Sequence, residues 1–557
     1  MPQFWKNFAT IGLILSLGFL IFFPRLDSLP YRGEEPRRVV SSFEMLQSNN
    51  WFVPTIQNQV FLSRPPLQNW VIALTGELRG SFDHLTGRLP SAICTLLTAL
   101  LIYYYCLANL SMLTALLASL CFLTMPQVIQ LGRTAETELM FTFLLSGSFL
   151  LWHRGELKQW PKSLKWGIAY LFLAGANLAK GINQAPLYFA AIIGLYLLIN
   201  RQIRELFTLA HLFGLLVFCS LVGFWQWGFV HHVGAQTGWL MHAGDVGLRF
   251  QHFALKNYLQ HWLNFPLELL AVMLPWSILI FAYLNREFWQ KCIPDTARPI
   301  VIFCLSAIAI TFFSVWFPPG AATRYYLPMY PCFAILAAIV LNTAVAPIAN
   351  LHSGALTWIR LGPFLAKIGV LVIPLCGVLN FLWAYSNIQI IIPPQPLFNA
   401  GMFLVGTLLI GLGSYWGLRL DSAKRVYMPV IFYSLFAALT INLLYTDTRL
   451  KQYNDVENQL IAGLQKVPKD YPLMSIGQVP FDFLYYYMLH TGKTIPLVTY
   501  EQLINQPHGL WLYFFAHQVI PIPPLAEKLA EIETGRFKKE YSQTPVDKTF
   551  IVKLFLL

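Results

Sequence analysis

Residues 8–23 read FATIGLILSLGFLIFF, an uninterrupted apolar run with Lys6 before it and PRLD at 24–27 after it. A helix needs about 20 mostly apolar residues to cross a bilayer, and this run is of that kind. A secretory signal peptide would end in a small-residue cleavage site, which the residues at 24–27 do not provide. The run therefore predicts a first helix anchored in a membrane.

The rest of the chain repeats this apolar pattern. The 557 residues are 56% hydrophobic and only 11% charged, whereas soluble proteins carry about 25% charged residues. Such a chain cannot cover a water-exposed surface, which excludes a disordered protein, a nucleic-acid-binding module and an ordinary cytosolic enzyme. We predict a polytopic α-helical membrane protein with about 13 transmembrane helices. The further runs lie near 90–109, 112–131, 139–152, 166–179, 185–199, 206–230, 264–284, 299–317, 326–347, 363–386, 398–418 and 427–446.

Lysine and arginine are distributed unevenly between the loops. With a cytoplasmic N-terminus, the short outside loops hold only Arg133, Lys180 and Arg324, and the inside loops hold most of the others. This positive-inside pattern explains the net charge of +12 better than a nucleic-acid partner does. An odd number of spans then places the C-terminus outside. The inside cations are Arg154, Lys158, Lys162, Lys165, Arg201, Arg204, Arg286, Lys291, Arg298, Arg360, Arg419, Lys424 and Arg425.

Two segments outside the membrane are long enough to fold, namely the first external loop at 24–89 and the tail at 447–557. We predict a transmembrane domain at 1–446, which includes this loop, and an external domain at 447–557. The tail alternates short strand-like and helix-like runs separated by Pro and Gly, which predicts a small α/β domain. Strands are expected at 473–476, 510–515 and 550–556, and helices at 481–489 and 525–532.

The first external loop contains an amphipathic pattern. Val39, Val40, Phe43, Met45 and Leu46 form one partly apolar helical face. Such a face suits a helix that lies on the membrane surface. We therefore predict interfacial helices in this loop.

The densest charged cluster in the outer segments reads YRGEEPRR at 31–38. Paired carboxylates such as Glu34 and Glu35 beside arginines such as Arg37 can provide a general base or a cation site. A solvated loop with ordinary salt bridges fits the same residues. Arg64 precedes two prolines that stiffen the backbone, so its guanidinium could be held toward a phosphate. An interfacial arginine with its head group in water is the simpler interpretation.

Further charged residues fall at the outer ends of apolar runs. Glu138 leads directly into a span, where an ionised carboxylate needs a partner, and Lys180 and Arg324 lie in outer turns. The predicted topology places all three at the same membrane face as the cluster at 31–38 and Arg64. Acids and bases that meet at one membrane face suit a reaction on an anionic lipid headgroup.

No metal site is predicted. The loop at 231–252 contains His231, His232, His242 and His252 with Asp245 and Arg249. These residues lack the close spacing of metal ligands, and aromatic-rich interfacial loops often contain histidine. The eight cysteines lie almost entirely in or beside apolar runs and show no Cys-x-x-Cys spacing, which indicates small buried side chains. No cofactor is predicted with certainty, and a divalent cation at the outer carboxylates stays open.

The stretch from Glu34 to about Tyr105 resembles the N-terminal signature of bacterial membrane glycosyltransferases with the GT-C fold. It is similar to the protein O-mannosyltransferase-like group and to the lipid A aminoarabinose transferases. Each motif alone is weak, but the set, in the family's order, is specific. The motifs are Glu34-Glu35, Met45 with Trp51 and Pro54, Arg64-Pro65-Pro66-Leu67 with Trp70, Arg88-Leu89-Pro90-Ser91, Glu138, Ala179-Lys180-Gly181, Pro275-Trp276 and Arg324-Tyr325-Tyr326-Leu327-Pro328.

The resemblance implies transfer of a sugar from a polyprenyl-phosphate donor, with inversion at the anomeric carbon. The acceptor would be a lipid, a glycan or a protein on the outer face of a bacterial inner membrane, with the C-terminal domain on the periplasmic side. Glu34 would be the general base for a hydroxyl acceptor, Glu35 would position the acceptor or a cation, and Glu138 would orient the acceptor or tune Glu34. The implied ligands of the donor phosphate are Arg64, Lys180, Arg324, Tyr325 and Arg37.

The sequence departs from the family pattern at three places. The usual Asp-Glu is Glu34-Glu35, the usual Lys-Pro-Pro begins with Arg64, and the usual Tyr-Ala is Arg38-Val39. These changes indicate either an altered donor or acceptor or a weakened activity. The competing class is a transporter or lipid flippase, which would place ionisable residues near mid-span and show paired broken helices. A receptor or assembly factor that binds through the tail is a third alternative.

Overall fold

The computed structural model describes residues 3–62, 64–181, 184–237, 254–345, 353–386, 396–420, 422–450, 458, 461–462, 464–465, 473–499, 501–502, 510–514, 527–534 and 550–556. Most of this chain is helical. The helices are α1 (Gln3–Phe22), α2 (Glu35–Ser48), α3 (Leu67–Arg79), α4 (His84–Cys106), α5 (Met112–Leu123), α6 (Pro126–Gly132), α7 (Glu138–Leu157), α8 (Lys162–Lys180), α9 (Ala185–Ile199), α10 (Leu209–Val233), α11 (Leu255–Ala271), α12 (Arg298–Trp316), α13 (Tyr330–Thr343), α14 (Ser353–Ser386), α15 (Leu397–Gly417), α16 (Ser422–Leu439) and α17 (Phe481–Thr491).

Short helical turns and strands complete the elements. Turns of 3-10 helix span Ile203–Phe207, Trp276–Leu284 and Thr323–Met329, and π-helical turns span Phe288–Cys292 and Thr440–Tyr445. The strands are β1 (Thr55–Ile56), β2 (Gln59–Val60), β3 (Leu473–Ile476), β4 (Leu510–Phe514), β5 (Glu527–Thr534) and β6 (Phe550–Leu556).

The chain is a multi-pass membrane protein, and each predicted apolar run coincides with a described helix or helical pair. Among the described residues, eight helices are long and apolar enough to cross a membrane, or up to ten if each of two bent pairs is one span. Helices α5 and α6 meet at 66°, and α11 meets the turn at Trp276–Leu284 at 113°. Helix α9 has only 15 residues, while α7 and α8 carry charged residues in their end turns, which lower their hydropathy. A total of 13 crossings therefore stays a prediction.

The chain divides into two compact units. The first contains Met1–Pro24, Ser91–Arg133 and Thr137–Asp447, and the second contains Arg25–Pro90, Thr134–Glu136 and Thr448–Leu557. The first external loop thus shares a unit with the tail. The predicted division into a transmembrane domain at 1–446, which includes the loop at 24–89, and an external domain at 447–557 stays a prediction.

The core of the second unit explains this grouping. Val39 and Val40 of α2 are buried in one hydrophobic cluster with Tyr31 and with α17. The rings of Tyr31 and Tyr485 lie 4.7 Å apart. The predicted interfacial face of α2 is therefore covered mainly by protein, and that prediction is wrong for this helix. Aromatic side chains of the tail cover Val39 and Val40, so these valines are shielded from both water and lipid.

Helix α3 fits the interfacial prediction better. Leu74 is 49% exposed and Leu78 is 89% exposed. The two side chains are one helical turn apart, so they lie on the same face of the helix. An outward apolar face of this kind suits a helix at a membrane surface.

The tail strands form a four-stranded sheet in the order β3-β4-β6-β5. Strands β3 and β4 are parallel, and the other two pairs are antiparallel. The predicted strands and the helix at 481–489 coincide with described elements. The predicted helix at 525–532 is wrong, because residues from Glu527 onward form edge strand β5. Pairing with β6 outweighs the helix propensity of this Glu-rich and Lys-containing sequence.

Helix α13 has the most enclosed position among the candidate spans of the first unit. The candidate span Thr323–Thr343, which contains α13 and the preceding turn, is 94% buried over its most apolar window. Tyr330 at its start donates a hydrogen bond to Gln127 of α6. The Arg324-Tyr325 pair is thus held at the entry to a rigid helix.

Candidate active site

An ion pair joins the two charged residues predicted on α7 and α8. Lys180 Nζ lies 3.3 Å from Glu138 Oε1, and both side chains are only 2% exposed. Glu138 is the first residue of α7 and Lys180 is the last of α8. A carboxylate buried at such a place needs a compensating charge, which this lysine supplies. The pair sits at helix ends and not at mid-span.

Aromatic rings enclose the same lysine. Lys180 Nζ is 5.0 Å from the centre of the Phe141 ring and 4.9 Å from that of Tyr325. The guanidinium of Arg324 lies 5.7 Å from the Tyr325 ring, and Gln184 donates a 2.7 Å hydrogen bond to the Tyr325 carbonyl. The first unit therefore brings Glu138, Lys180, Arg324 and Tyr325 together, and their role as site residues stays a prediction.

In the second unit, Glu35 is fully engaged by internal partners. Its carboxylate accepts hydrogen bonds from Arg88 Nε at 2.9 Å and from Arg88 Nη2 at 3.1 Å. The backbone N–H groups of Arg32 and Ala135 donate to it at 2.9 Å and 2.8 Å. The side chain is 2% exposed. Its two oxygens are committed to these four donors, which suits a structural carboxylate.

Arg88 completes this structural clamp. Its Nη1 donates to two backbone carbonyls and its Nη2 to a third, at 2.7–2.9 Å. Its guanidinium also lies 5.0 Å from the centre of the Tyr31 ring. Arg88 therefore fixes the start of the first loop against the start of α4. The carbonyls are those of Leu26, Leu29 and Pro30.

Glu34 has a different environment, although it is the neighbour of Glu35. It occupies the N-cap position of α2, and its side chain is 35% exposed. Its Oε2 forms ion pairs with Arg37 and, at 3.4 Å, with Arg38. Of the two adjacent carboxylates, Glu34 is the one that a substrate can reach.

Three arginines of the first loop form a concentrated positive site, which we call the guanidinium cluster (Arg37, Arg38 and Arg64). Burial and the charges of Arg37 and Arg64 lower the pKa of Arg38 to about 10. Among the described residues, Arg37 Nε, Arg38 Nε and Arg64 Nη1 are buried and have no hydrogen-bond partner. A buried unsatisfied donor costs about 1–3 kcal/mol, and more when the group is charged. Three such donors in one loop are an arrangement that an anion would satisfy.

Sequence reasoning named Arg37 and Arg64 but missed two residues. Arg38 belongs to the charged cluster at 31–38 and departs from the family's Tyr-Ala, and Arg88 belongs to a family motif, but neither is among the predicted site residues. A charged residue inside the partly apolar stretch at 36–46 was an available signal for Arg38, because such a residue is rarely buried without a partner. The contact of Arg88 with Glu35 spans 53 positions, which no local pattern reveals.

Metal ligands are not grouped in the described part of the chain. Among those residues, no set of three or more His, Cys, Asp or Glu side chains is placed to hold a metal ion. His231 and His232 end α10, and their ring centres are 6.0 Å apart. The remaining residues of the predicted histidine loop, at 242, 245, 249 and 252, lie outside the described residues.

Known proteins resemble this chain in sequence. Residues 63–227 match a family model described as dolichyl-phosphate-mannose-protein mannosyltransferase. An undecaprenyl phosphate-alpha-4-amino-4-deoxy-L-arabinose arabinosyl transferase of Pectobacterium carotovorum is 26% identical over 336 residues, which cover 58% of this chain and 57% of that protein. The transferase of the same name from Aeromonas hydrophila is 29% identical over 344 residues, which cover 59% of each chain. The match thus spans less than two thirds of these relatives' length.

The fold is also found in a solved structure. ArnT from Cupriavidus metallidurans, crystallised with undecaprenyl phosphate, has a TM-score of 0.67 to this chain at 16% identity. The superposition covers 100% of this chain and 98% of that one. The chain therefore has the GT-C fold that the sequence resemblance implied.

Proposed function

We propose that the protein is a membrane glycosyltransferase that moves a sugar from a polyprenyl-phosphate carrier to a lipid acceptor. The reaction would take place on the outer face of a bacterial inner membrane, with the tail on the periplasmic side. Glycan and protein acceptors remain open alternatives. The arabinosyl transferases that match the chain are named for an undecaprenyl phosphate sugar, which supports a carrier of this class and a pentose donor.

The observation that carries the proposal is the guanidinium cluster. A phosphate group offers several strong acceptors that match the planar fork of arginine. Its oxygens would satisfy the buried nitrogens of Arg37, Arg38 and Arg64. The long apolar prenyl chain would remain in the lipid bilayer. The positive charges of the three arginines would attract its phosphate to the protein.

Glu34 is the best-placed general base. It is partly exposed and lies beside two members of the cluster. In the proposed step, the acceptor hydroxyl loses its proton to Glu34 while its oxygen bonds to the anomeric carbon. The bond from that carbon to the phosphate oxygen breaks, and the electron pair leaves with the carrier phosphate. The arginines stabilise the charge that develops there, and attack opposite the leaving group inverts the anomeric centre.

The charged group of the first unit keeps a proposed role in donor binding. Within the first unit, Lys180, Arg324 and Tyr325 are a proposed set of ligands for the donor phosphate. Glu138 would hold Lys180 in place through their 3.3 Å ion pair. Glu35 is proposed to support the loop by holding Arg88 and not to touch substrate, because its oxygens are already occupied.

The test is sugar transfer by purified protein in lipid vesicles. Undecaprenyl phosphates carrying different sugars are supplied with lipid acceptors, and mass spectrometry follows the free carrier and the glycosylated product. We expect transfer from at least one donor, reduced at least tenfold by Glu34→Gln and by Arg64→Ala. Arg79→Ala is the matched control, because Arg79 lies in the same loop but binds Asp83 at 2.5 Å. Transfer that is unchanged in both test variants would overturn the proposal.

A further inference from the structure

Gln68 is a buried amide in the first turn of α3. Its side chain is 1% exposed. Within the described part of the chain, neither its Nε2 nor its Oε1 has a hydrogen-bond partner. A glutamine amide contains two N–H donors and a carbonyl acceptor, so this side chain leaves both kinds of group unsatisfied. The donor and the acceptor of this buried amide are thus both unsatisfied.

The neighbouring residue shows that the surroundings do not prevent hydrogen bonding. Asn69 is also buried, with 3% exposure, and its Nδ2 donates to Ser41 Oγ at 2.9 Å. This bond fixes the start of α3 against the middle of α2. Of two adjacent buried amides, one is used by the fold and the other is not.

The same bond brings the start of α3, where Gln68 lies, beside the helix that carries Arg37 and Arg38. Ser41 lies one turn after Arg38 on α2, and Gln68 lies four residues after Arg64. The guanidinium carbon of Arg37 lies 5.5 Å from the centre of the Phe61 ring, so α2 packs against the segment that leads to Arg64. Buried groups without partners thus come from the same two segments of the first loop.

These groups differ in what they would bind. The arginines offer only donors, which suit a phosphate, whereas an amide with a free donor and a free acceptor suits a group that can both accept and donate. A hydroxyl group has this property. In a phosphate-linked sugar, hydroxyl groups lie a few bonds from the phosphate.

We propose that Gln68 binds a hydroxyl group of the donor sugar and so contributes to the choice of sugar. The inference rests on the proposed function, because it takes the guanidinium cluster to hold the carrier phosphate. A site built to bind a hydroxyl discriminates against sugars that lack it, since the buried amide would otherwise stay unsatisfied. Gln68 is then a residue retained for binding at a cost to stability.

The first measurement compares the thermal unfolding of purified variants without ligand. Replacing Gln68 by leucine removes an unsatisfied amide and keeps the volume, so we expect Gln68→Leu to raise Tm by roughly 1–3 °C. The matched variant Asn69→Leu removes a satisfied hydrogen bond and should lower Tm. A fall in Tm for Gln68→Leu would overturn the inference, because it would mean that the amide is satisfied in the free protein, for instance by a bound water.

The second measurement uses ligands to separate sugar from phosphate. The shift in Tm is recorded with undecaprenyl phosphate, undecaprenyl phosphomannose and undecaprenyl phospho-4-amino-4-deoxyarabinose. We expect at least one sugar-bearing ligand to bind the wild type about tenfold more tightly than undecaprenyl phosphate does. Gln68→Leu should lose that difference and still bind undecaprenyl phosphate, and Asn69→Leu should keep it.

The outcomes separate this inference from the proposed function. A difference between sugar-bearing and plain carrier that persists in Gln68→Leu would overturn the role of Gln68 alone. The same holds if the wild type binds undecaprenyl phosphate but no sugar-bearing form more tightly. Absence of any shift with all three ligands would instead contradict the proposed carrier, and with it the inference.

Discussion

At the scale of single residues, the adjacent pair Glu34 and Glu35 divides into two roles. Glu35 is buried and bound by Arg88 and two backbone amides, while Glu34 is partly exposed between Arg37 and Arg38. The sequence could predict that acids and bases meet here, because the charges are scarce and adjacent. It could not predict which acid is the more exposed, because Arg88 and Ala135 approach Glu35 from distant parts of the chain.

Replacing Glu35 should destabilise the folded protein, because this carboxylate is proposed to support the loop and not to touch substrate. Glu35→Gln leaves Arg88 as a buried charge without its counter-ion, which costs about 3–5 kcal/mol. We expect a large fall in the thermal unfolding temperature and a matching loss of folded protein in membranes. Glu34→Gln, at the exposed neighbour, should leave unfolding nearly unchanged. Equal effects of the two variants on unfolding would contradict the division of roles.

The Lys180–Glu138 pair can be tested by a double-mutant cycle. Glu138→Gln and Lys180→Met each remove one charge of the buried ion pair and should lower the free energy of unfolding by about 3 kcal/mol or more. The double variant should recover much of that loss, since neither charge remains. Sugar transfer should not recover, because Lys180, the proposed phosphate ligand, is still absent. Recovery of activity together with stability would indicate a purely structural pair.

At the scale of elements, local patterns predicted most helices and failed where tertiary contacts decide. The tail helix at 481–489 was predicted, and α17 runs from Phe481 to Thr491. The segment at 525–532 has helix-forming residues, yet β5 pairs with β6 along most of its length. Helix α2 was recognised as amphipathic, but the pattern cannot say whether lipid or a distant helix covers its apolar face.

Helix α17 also makes a pH-dependent contribution to stability. Burial and the negative charge of Glu35 raise the pKa of Asp482 to about 7. An acid with a pKa higher in the folded chain than in the unfolded chain binds its proton more tightly when folded. The stability that it contributes is therefore present below about pH 4 and is lost as the pH rises toward 7.

The corresponding variant is Asp482→Asn, which keeps the shape of the side chain and cannot ionise. We expect the Tm of the wild type to fall more steeply than that of this variant between pH 5 and pH 8. At pH 8 the variant should be the more stable protein. Identical pH profiles would show that Asp482 does not titrate in this range in the folded chain.

At the scale of the whole molecule, composition predicted the membrane class and the motif set predicted the fold. Both depend on runs of residues that can be read locally. The grouping of the first loop with the tail could not be predicted from the sequence. The core of this unit joins residues that are far apart in the chain, such as Val39 and Tyr485. Orientation in the membrane remains a prediction from the distribution of Lys and Arg.

Orientation can be measured by labelling single introduced cysteines in intact cells. Lys493→Cys lies at an exposed position in the tail and Lys158→Cys at an exposed position after α7. A membrane-impermeant maleimide should label the first from outside and the second only after the membrane is opened. The wild type, with its own cysteines, provides the background. The reverse labelling pattern would show the opposite orientation and would contradict a reaction on the outer face.

The guanidinium cluster is proposed to hold the phosphate of a polyprenyl carrier. The most direct test is the dissociation constant of undecaprenyl phosphate for purified wild type, Arg64→Ala and Arg79→Ala, measured in the same detergent. We predict that Arg64→Ala weakens binding at least tenfold, because a charge-assisted hydrogen bond is worth about 1.5–3 kcal/mol. Arg79→Ala should bind as the wild type does. Equal affinity for all three proteins would contradict a phosphate site at the guanidinium cluster.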